Sequence, residues 1–249
     1  MNITDQELQI FSRQLILNEF KEKNFDKLQK KHIIIIGMGG IGCPLSQYLI
    51  ASGIKKLTII DHDKIDITNL NRQILFSFND IGKNKADIAK IKLSKINPNC
   101  FIRSIPKKIT KLNIDTYIKE PSIIIDSTDN WISMNLINEF CVKNSIPLIS
   151  SSVIGFDGQV MFFKNDKSNH LCLNCIYPIT NEPDLPRCET VGILGTAAGF
   201  TGLMAAQSII NYLIDKKNSK EILLMINAKT MKINHIKLKK NKKCRNFNE

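Results

Sequence analysis

The sequence lacks the features that mark several classes of protein. It has no internal repeat and no low-complexity tract, which excludes repeat architectures and compositionally biased chains. It has no helix-turn-helix or RNA-binding motif, so the formal net charge of +12 favours an anionic partner without indicating nucleic acid. Because 43% of the 249 residues are hydrophobic and only 23% are charged, the composition predicts a packed globular fold.

Charge is also missing from one long stretch, since no charged residue occurs between Glu189 and Asp215. Residues 193–214 are mostly apolar and are numerous enough to cross a bilayer. Polar residues interrupt this stretch and glycines crowd its first half, so we expect a glycine-rich loop that leads into a buried or subunit-interface helix. The first seven residues include acids and have no apolar core typical of a signal peptide. We therefore expect a soluble, cytoplasmic protein without a membrane partner.

The seven cysteines form an odd number, and in a reducing compartment they serve as metal ligands, reactive thiols or core residues. Cys172 and Cys175 have the spacing of zinc ligands. Cys188 lies in a proline-rich loop, where a thiolate could attack an activated acyl group or be a spectator. The expected core cysteines are Cys43, Cys100 and Cys141.

Strand and helix patterns alternate over the first 150 residues. Short apolar runs at residues 32–36, 57–60, 123–126 and 148–149 predict strands, and the segments between them include helical patterns at 42–52, 85–96 and 134–144. This alternation predicts an α/β fold with a Rossmann-like, mostly parallel sheet and helices on both faces. After Ser150 the pattern changes, and strands near 158–163, 222–226 and 233–238 are expected to be antiparallel. We expect a single domain over residues 1–249 with a soft boundary near Ser150.

A glycine loop follows the first predicted strand. Gly37, Gly39 and Gly42 fit the pattern G-x-G-x-x-G, with Gly40 between them, at the start of a helix. Such a loop allows close backbone approach to phosphates at a helix N-terminus. Asp61 follows about 20 residues later at the end of the second strand, where a carboxylate can accept ribose hydroxyls. The unit predicts nucleotide binding, but it fits an NAD-dependent enzyme as well as an ATP-dependent one.

The residues after Asp61 favour a triphosphate. Arg72 and Lys85 add cations beyond those that a dinucleotide diphosphate needs. Asp129 follows the third apolar strand at the carboxyl edge of the sheet. A carboxylate there would repel a triphosphate without a divalent cation between them, so Asp129 is interpreted as a Mg²⁺ ligand. The alternative for Asp129 is a cap on the next helix.

In combination these motifs resemble the ThiF/MoeB/HesA family, which is related to ubiquitin-activating enzymes, over nearly the whole chain. The matching residues are Ser12-Arg13-Gln14, the loop from Gly37 to Gly42, Asp61 with Asp63, Asn69-Leu70-Asn71-Arg72-Gln73, Gly82 with Lys85, Ser127-Thr128-Asp129-Asn130, Cys172 with Cys175, and Cys188 ahead of Gly192-Ile193-Leu194-Gly195.

The resemblance implies a sulfur-carrier adenylyltransferase. A ubiquitin-like carrier of the MoaD or ThiS type, ending in Gly-Gly, would attack the α-phosphate of ATP-Mg²⁺ to give an acyl-adenylate and pyrophosphate, in molybdopterin or thiamine biosynthesis. It implies a carrier-binding half over residues 151–249, a homodimer and a possible sulfurtransferase partner. The alternatives are an NAD(P)-dependent oxidoreductase, an inactive family scaffold, or adenylation of a tRNA or a peptide.

The resemblance also suggests roles for individual residues. Arg72 and Lys85 would hold phosphates, and Asp61 with Asp63 would contact the ribose. Asn69 and Gln73 would shape the pocket, and Asp129 would bind Mg²⁺. Arg13 would reach the triphosphate that is bound to the neighbouring subunit. Family members complete a four-cysteine zinc site near the C-terminus. Here Cys244 is present, but Phe247 replaces the fourth cysteine, so the site is either three cysteines with a residue such as His170 or lost. In some relatives the cysteine that matches Cys188 bonds covalently to the carrier.

Overall fold

The computed structural model describes residues 3–166, 171–178 and 191–241, together with Cys244 and Asn246. The helices are α1 (Asp5–Leu15), α2 (Glu22–Gln29), α3 (Gly42–Ala51), α4 (Lys85–Ile96), α5 (Ile114–Tyr117), α6 (Trp131–Lys143), α7 (Leu173–Ile176) and α8 (Gly195–Ile214). The strands are β1 (His32–Ile36), β2 (Lys56–Ile60), β3 (Phe101–Ile105), β4 (Ile123–Asp126), β5 (Leu148–Ile154), β6 (Asp157–Phe163), β7 (Ile222–Asn227) and β8 (Lys232–Lys237).

All eight strands form one sheet in the order β3-β2-β1-β4-β5-β6-β7-β8. The first five in that order are parallel, and β6, β7 and β8 are joined to them by antiparallel pairing. The predicted fold class, a mostly parallel sheet with antiparallel strands in the C-terminal part, is therefore confirmed. The single-domain assignment and its soft boundary near Ser150 stay predictions.

The central strand β1 shows why its sequence is uniformly apolar. Ile33 and Ile35 belong to one buried cluster, whereas Ile34 and Ile36 belong to a second cluster on the other face. The first cluster includes side chains of α2, α3, α4 and α8, and the second includes side chains of α5, α6 and α7. Because helices cover both faces, a strand in the middle of the sheet has no solvent-facing side.

Several element boundaries differ from the sequence prediction. Strand β3 was not predicted, because it is an edge strand whose Phe101 and Arg103 are exposed, so its apolar run is broken. Helix α6 begins at Trp131, before the predicted start, because Asn130 caps it. Cys43, Cys100 and Cys141 are buried as predicted, although Cys100 precedes β3 instead of lying inside an element.

Helix α8 is, within the described ranges, the one helix long and apolar enough to cross a membrane, and 56% of its most apolar window is buried inside the protein. It packs against α2, α3, β5 and β6. Its small residues allow this close contact, since a Cβ added at Gly202 would lie 2.7 Å from the carbonyl oxygen of Ile41. Helix α8 thus forms part of the core and supports the start of α3, where the glycine loop ends.

Candidate functional site

The candidate site lies at the carboxyl edge of the parallel strands β1, β2 and β4. The loops that follow these strands contain the glycines, Asp61 and Asp129 respectively. Strand β1 lies between the other two, with Ile36 level with Ile60 and with Asp126. Because parallel strands end at the same edge, residues far apart in the sequence meet here, as is usual for ligand sites in open α/β sheets.

The glycine loop turns sharply from β1 into α3. Gly37 has φ = +97°, and a Cβ at this position would lie 2.6 Å from the carbonyl oxygen of Ser127. A Cβ at Gly42 would lie 2.3 Å from the carbonyl oxygen of Gly37, so the turn itself excludes a side chain there. At Gly39, by contrast, an added Cβ meets no described atom within 4 Å. The loop therefore leaves open space at the N-terminus of α3, where a helix favours negative charge.

Asp61 holds the glycine loop from the end of β2. Its carboxylate accepts hydrogen bonds from the backbone N–H of Met38 at 2.6 Å and of Asp63 at 2.8 Å. Burial raises the pKa of Asp61, whereas the Lys85 ammonium and the two backbone donors act in the opposite direction. Asp61 thus links β2 to the loop after β1, and a nucleotide ribose bound there would have to share or replace these contacts.

Lys85 is the first residue of α4 and is almost fully buried. Its Nζ lies 2.9 Å from Oδ2 of Asp63, whose side chain is 51% exposed. A buried ammonium normally needs a charged partner, and Asp63 supplies one while leaving the other Nζ donors available. The pair brings a positive charge next to Asp61, and the phosphate-binding role of Lys85 stays a prediction.

Arg72 lies over the glycine loop from the segment between β2 and α4. Its Nη1 donates to the carbonyl oxygen of Thr68 at 3.0 Å, and its Cγ is 3.3 Å from the position of a Cβ on Gly40. The backbone carbonyl oxygen of Asn69 accepts a hydrogen bond from the backbone N–H of Gln73, and this bond closes a turn that contains Arg72. The buried Gln73 side chain has an Oε1 atom with no hydrogen-bond partner among the described residues. This orphaned acceptor is suited to a donor from a bound ligand or water.

The loop after β4 is organised by the buried carboxylate of Asp126. Its Oδ1 accepts from the Thr128 N–H at 3.0 Å and the Thr128 hydroxyl at 2.7 Å, and its Oδ2 accepts from the Ser150 hydroxyl at 3.0 Å. Burial raises the pKa of Asp126 to about 6, with these hydrogen bonds opposing the shift. The sequence places Asp126 at the end of a strand but suggests no role for it. Whether the side chain of one aspartate is buried cannot be determined from the sequence.

Asp129 itself is exposed, and no contact of its carboxylate is seen within the described part of the chain. The helix cap that was the alternative role for Asp129 belongs to Asn130, whose Oδ1 accepts from the Ser133 N–H at 2.9 Å. The structure therefore removes the capping alternative and leaves a carboxylate at the sheet edge free for a cation.

Arg13 is not brought to the site of its own chain. It is an exposed residue of α1, and the neighbouring Gln14 donates to the carbonyl oxygen of Ser52 at the C-terminal end of α3. The glycine loop is at the other end of that helix, about 15 Å away at the helical rise. Any contact between Arg13 and a nucleotide would have to involve a second copy of the chain.

Three cysteines form a separate cluster beside α7. The Sγ atoms of Cys172, Cys175 and Cys244 lie within 4.8 Å of one another, and Asn246 donates to Cys172 Sγ at 3.4 Å. Hydrogen bonding by Cys172 lowers the pKa of the Cys175 thiol, which favours a thiolate. The chemistry of this donor set fits zinc. Cys188, considered as a nucleophile or a spectator, lies outside the described residues, as do the candidate ligand His170 and Phe247.

Comparison with known proteins agrees with this arrangement. The model of the ThiF family matches residues 11–246. The chain belongs to the ThiF family. The family predicted from the sequence motifs is therefore confirmed, and the match includes the glycine loop, the Asp129 loop and the cysteine cluster.

The curated relatives of this ThiF-family chain include insect proteins named adenylyltransferase and sulfurtransferase MOCS3. The chain is 36% identical to the protein of Drosophila persimilis over 213 residues, which is 85% of this chain and 47% of the relative. It is 34% identical to the protein of Drosophila sechellia over the same length. The chain thus spans about half the length of the curated relatives it matches. The adenylyltransferase in their name agrees with the enzyme class, a nucleotidyltransferase, that the sequence predicts.

Solved structures of the same fold include Escherichia coli MccB with ATP, with a TM-score of 0.77 and 23% identity, covering 98% of this chain and 82% of MccB. PaaA is similar with a TM-score of 0.76 and 18% identity, covering 94% of this chain and 74% of PaaA. At such identities the likeness establishes the fold alone.

Proposed function

We propose that this ThiF-family chain binds ATP with Mg²⁺ at the carboxyl edge of the sheet and adenylates the C-terminal carboxylate of a small ubiquitin-like sulfur carrier. The observation that carries the proposal is the convergence of three groups from three strand ends. These groups are the open glycine loop after β1, the Lys85–Asp63 pair and Arg72 after β2, and the uncommitted Asp129 after β4.

The nucleotide would lie with its phosphates over the glycine loop. The open space at Gly39 allows the backbone and a phosphate to approach closely, and the N-terminus of α3 favours the negative charge. Lys85 and Arg72 border this space, so the β- and γ-phosphates would find cations beyond the loop. Asp61 and Asp63 would face the ribose, and the orphaned Oε1 of Gln73 offers an acceptor in the same region.

Asp129 is the proposed Mg²⁺ ligand. It is exposed at the carboxyl edge of the sheet. The hydrogen bonds of the Asp126 carboxylate to Thr128 and Ser150 hold the backbone of the preceding residues in one conformation. A bound Mg²⁺ would neutralise phosphate charge during displacement of pyrophosphate. The chain itself would hold the Asp129 carboxylate at a fixed distance from the glycine loop, which is the proposed phosphate cradle.

The nucleophile would come from the carrier. A C-terminal carboxylate has a reference pKa of about 3.3–3.7, so it is ionised at neutral pH and needs no general base. Its attack on the α-phosphate forms the acyl–phosphate bond and releases pyrophosphate. The site therefore has to position two anions and balance their charge, which is what preorganised cations at a helix N-terminus achieve.

The finer assignments rest on the family and its relatives. A homodimer would bring Arg13 of one chain to the nucleotide of the other. A sulfurtransferase would act on the activated carrier, as the double name of the MOCS3 relatives suggests. The name also favours a MoaD-type carrier and molybdenum cofactor synthesis over a ThiS-type carrier and thiamine synthesis. Zinc at the cysteine cluster would fix the C-terminal segment to α7.

Hydroxylamine trapping tests the proposal. The protein is incubated with ATP, Mg²⁺ and either a MoaD-type or a ThiS-type carrier ending in Gly-Gly, and the carrier mass is then measured. An acyl-adenylate gives a C-terminal hydroxamate on the true carrier, whereas a carrier without its last glycine serves as the control. Absence of hydroxamate from both carriers would contradict the proposed activity. A parallel thermal-shift assay should show stabilisation by ATP-Mg²⁺ and none by NAD⁺.

A further inference from the structure

An open cleft of about 620 Å³ lies on the opposite side of the protein from the candidate nucleotide site. Its walls come from three segments that are far apart in the sequence: the end of α2 with the residue before β1, the residues after β6, and the end of α8 with the residues that follow it. Among the described residues, five lysines line the cleft, namely Lys27, Lys31, Lys164, Lys216 and Lys217. Because the five lysines come from three distant segments, the cluster is not simply a lysine-rich stretch of the sequence.

The register of the sheet gives the location of the cleft. Lys31 immediately precedes β1, and Lys164 immediately follows Phe163, which pairs with Leu148 at the start of β5. Both lysines are therefore at the amino edge of the parallel strands. The nucleotide site is at the carboxyl edge, about 17 Å away along the five residues of β1. A ligand in the lysine cleft would leave that site accessible.

The positive charge of the cleft is poorly balanced. Two aspartates, Asp166 and Asp215, line it together with the five lysines, and the Asp215 carboxylate already accepts hydrogen bonds from the N–H and the side chain of Asn218. None of the five lysines forms an ion pair within residues 3–166, 171–178 and 191–241.

Part of this charge complements the helix ends. The C-terminal carbonyls of α2 and α8 attract cations, which suits Lys31, Lys216 and Lys217. Lys164, however, follows a strand and belongs to neither helix. Complementing the helix dipoles therefore does not account for Lys164, whose backbone N–H donates to the Glu221 carboxylate at 3.0 Å.

The lining also indicates which anion fits. Leu213 and Ile214 provide an apolar surface between the lysines. Among the described residues, the lining includes no aromatic ring to stack on a base, and no arginine or side-chain amide to hydrogen-bond one. Lysines around an apolar surface match an extended peptide with carboxylates beside an apolar side chain. We propose that this lysine cleft binds an acidic peptide segment of a partner protein, with an apolar anchor against Leu213 and Ile214.

Fluorescence anisotropy tests the proposal with a short labelled peptide of Glu-Glu-Leu repeats. A Gln-Gln-Leu peptide and a labelled oligouridine are the comparison probes. The double variant Lys164→Glu/Lys216→Glu reverses two charges of the cleft. The matched control Lys229→Glu/Lys232→Glu makes the same change in net charge at exposed lysines near the β7–β8 turn, at the other edge of the sheet. Thermal denaturation of each variant checks that it is folded.

We expect the cleft variant to bind the acidic peptide at least about tenfold more weakly than the wild type, and the control variant to bind within about twofold of it. Binding should weaken with added salt and should be unaffected by ATP-Mg²⁺. Equal losses in the two variants would show that only net charge matters. Tighter binding of oligouridine than of the acidic peptide would identify a nucleic-acid surface. Either result, or no binding of the acidic peptide, overturns the proposal.

Discussion

The hydroxyl of Ser127 donates a hydrogen bond of 2.7 Å to the carbonyl oxygen of Gly37. This contact joins the loop after β4 to the glycine loop after β1, two segments that are 90 residues apart. Ser127 lies between the buried Asp126 and the exposed Asp129, so it fixes the proposed metal-binding loop against the proposed phosphate cradle. The Ser127 hydroxyl also lies 3.2 Å from the carbonyl oxygen of Ile36, and its backbone N–H donates to that oxygen at 2.9 Å. The distance between the two parts of the site is thus set by the contacts of Ser127 and by the sheet beneath it.

Replacing Ser127 with alanine should weaken ATP-Mg²⁺ binding more than it weakens folding. Loss of the hydrogen bond costs about 1 kcal/mol of stability, while a looser Asp129 loop lowers affinity by about tenfold. Isothermal titration and urea denaturation measure the two effects. Ser208→Ala, which removes a similar 2.8 Å hydrogen bond to the carbonyl oxygen of Met204 in α8, is the control. Equal ATP affinity in wild type and Ser127→Ala would contradict the role of Ser127.

Two glycines of the same loop should respond differently to a methyl group. In Gly39→Ala the new Cβ meets no described atom, so the melting temperature should stay within about 2 °C while ATP affinity falls, because the methyl group occupies the phosphate space. In Gly42→Ala the Cβ would lie 2.3 Å from the carbonyl oxygen of Gly37, so stability itself should fall, by about 1–3 kcal/mol. Unchanged ATP binding by a folded Gly39→Ala would show that the phosphates lie elsewhere.

The glycine loop could largely be predicted from the sequence, because the sharp turn after β1 requires residues without a side chain and the spacing of the glycines shows where it lies. The sequence could not predict the buried hydrogen bonds that support the site. Asp126 looks like any strand-end aspartate, and only the pairing of β4 with β5 brings Ser150 to its carboxylate. Strand β3 was missed for a related reason, because one face of an edge strand is solvated and its pattern is weak.

Asp126 should make stability depend on pH in a defined direction. Burial raises its pKa to about 6, compared with about 3.9 in the unfolded chain. Between these values the unfolded chain releases the proton and the folded chain keeps it, so stability falls as pH rises from about 4 to 6. The shift corresponds to a loss on the order of 2–3 kcal/mol. Below pH 4 both states are protonated and the effect vanishes.

Asp126→Asn removes this titration while keeping an oxygen acceptor for Thr128. Urea denaturation without Mg²⁺ should therefore show the variant gaining stability relative to wild type as pH rises from 4 to 6.5. A difference between the two proteins that does not change over this range would mean that Asp126 is ionised when buried.

The cysteine cluster should bind one zinc ion per chain. Its three Sγ atoms already lie within 4.8 Å of one another, so one zinc ion could contact all three. Metal analysis of purified protein should find about one zinc, and Cys175→Ser should lower the content several-fold. Cys100→Ser, at a buried cysteine outside the cluster, should leave it unchanged. A zinc-free wild-type protein that stays fully folded would show that the site has been lost.

The cluster of lysines in the cleft could not be predicted from the sequence. Lysine is spread along the whole chain, and only the register of β1, β5 and β6 shows that Lys31 and Lys164 lie at one edge of the sheet. For the apolar run before Asp215, the predicted buried helix is present, and its contacts with α2 and α3 explain its apolar composition. The glycine-rich loop expected ahead of it is shorter than predicted, because the helix begins at Gly195 and includes Gly199 and Gly202.

Pyrophosphate exchange measures the proposed adenylation of the carrier. Labelled pyrophosphate is mixed with ATP, Mg²⁺, the protein and a carrier ending in Gly-Gly, and the label that enters ATP is measured. We expect exchange that requires the carrier and that falls by at least about a hundredfold in a folded Asp129→Ala variant. Exchange by that variant at the wild-type rate, or no exchange by the wild type with any carrier, would contradict the proposal.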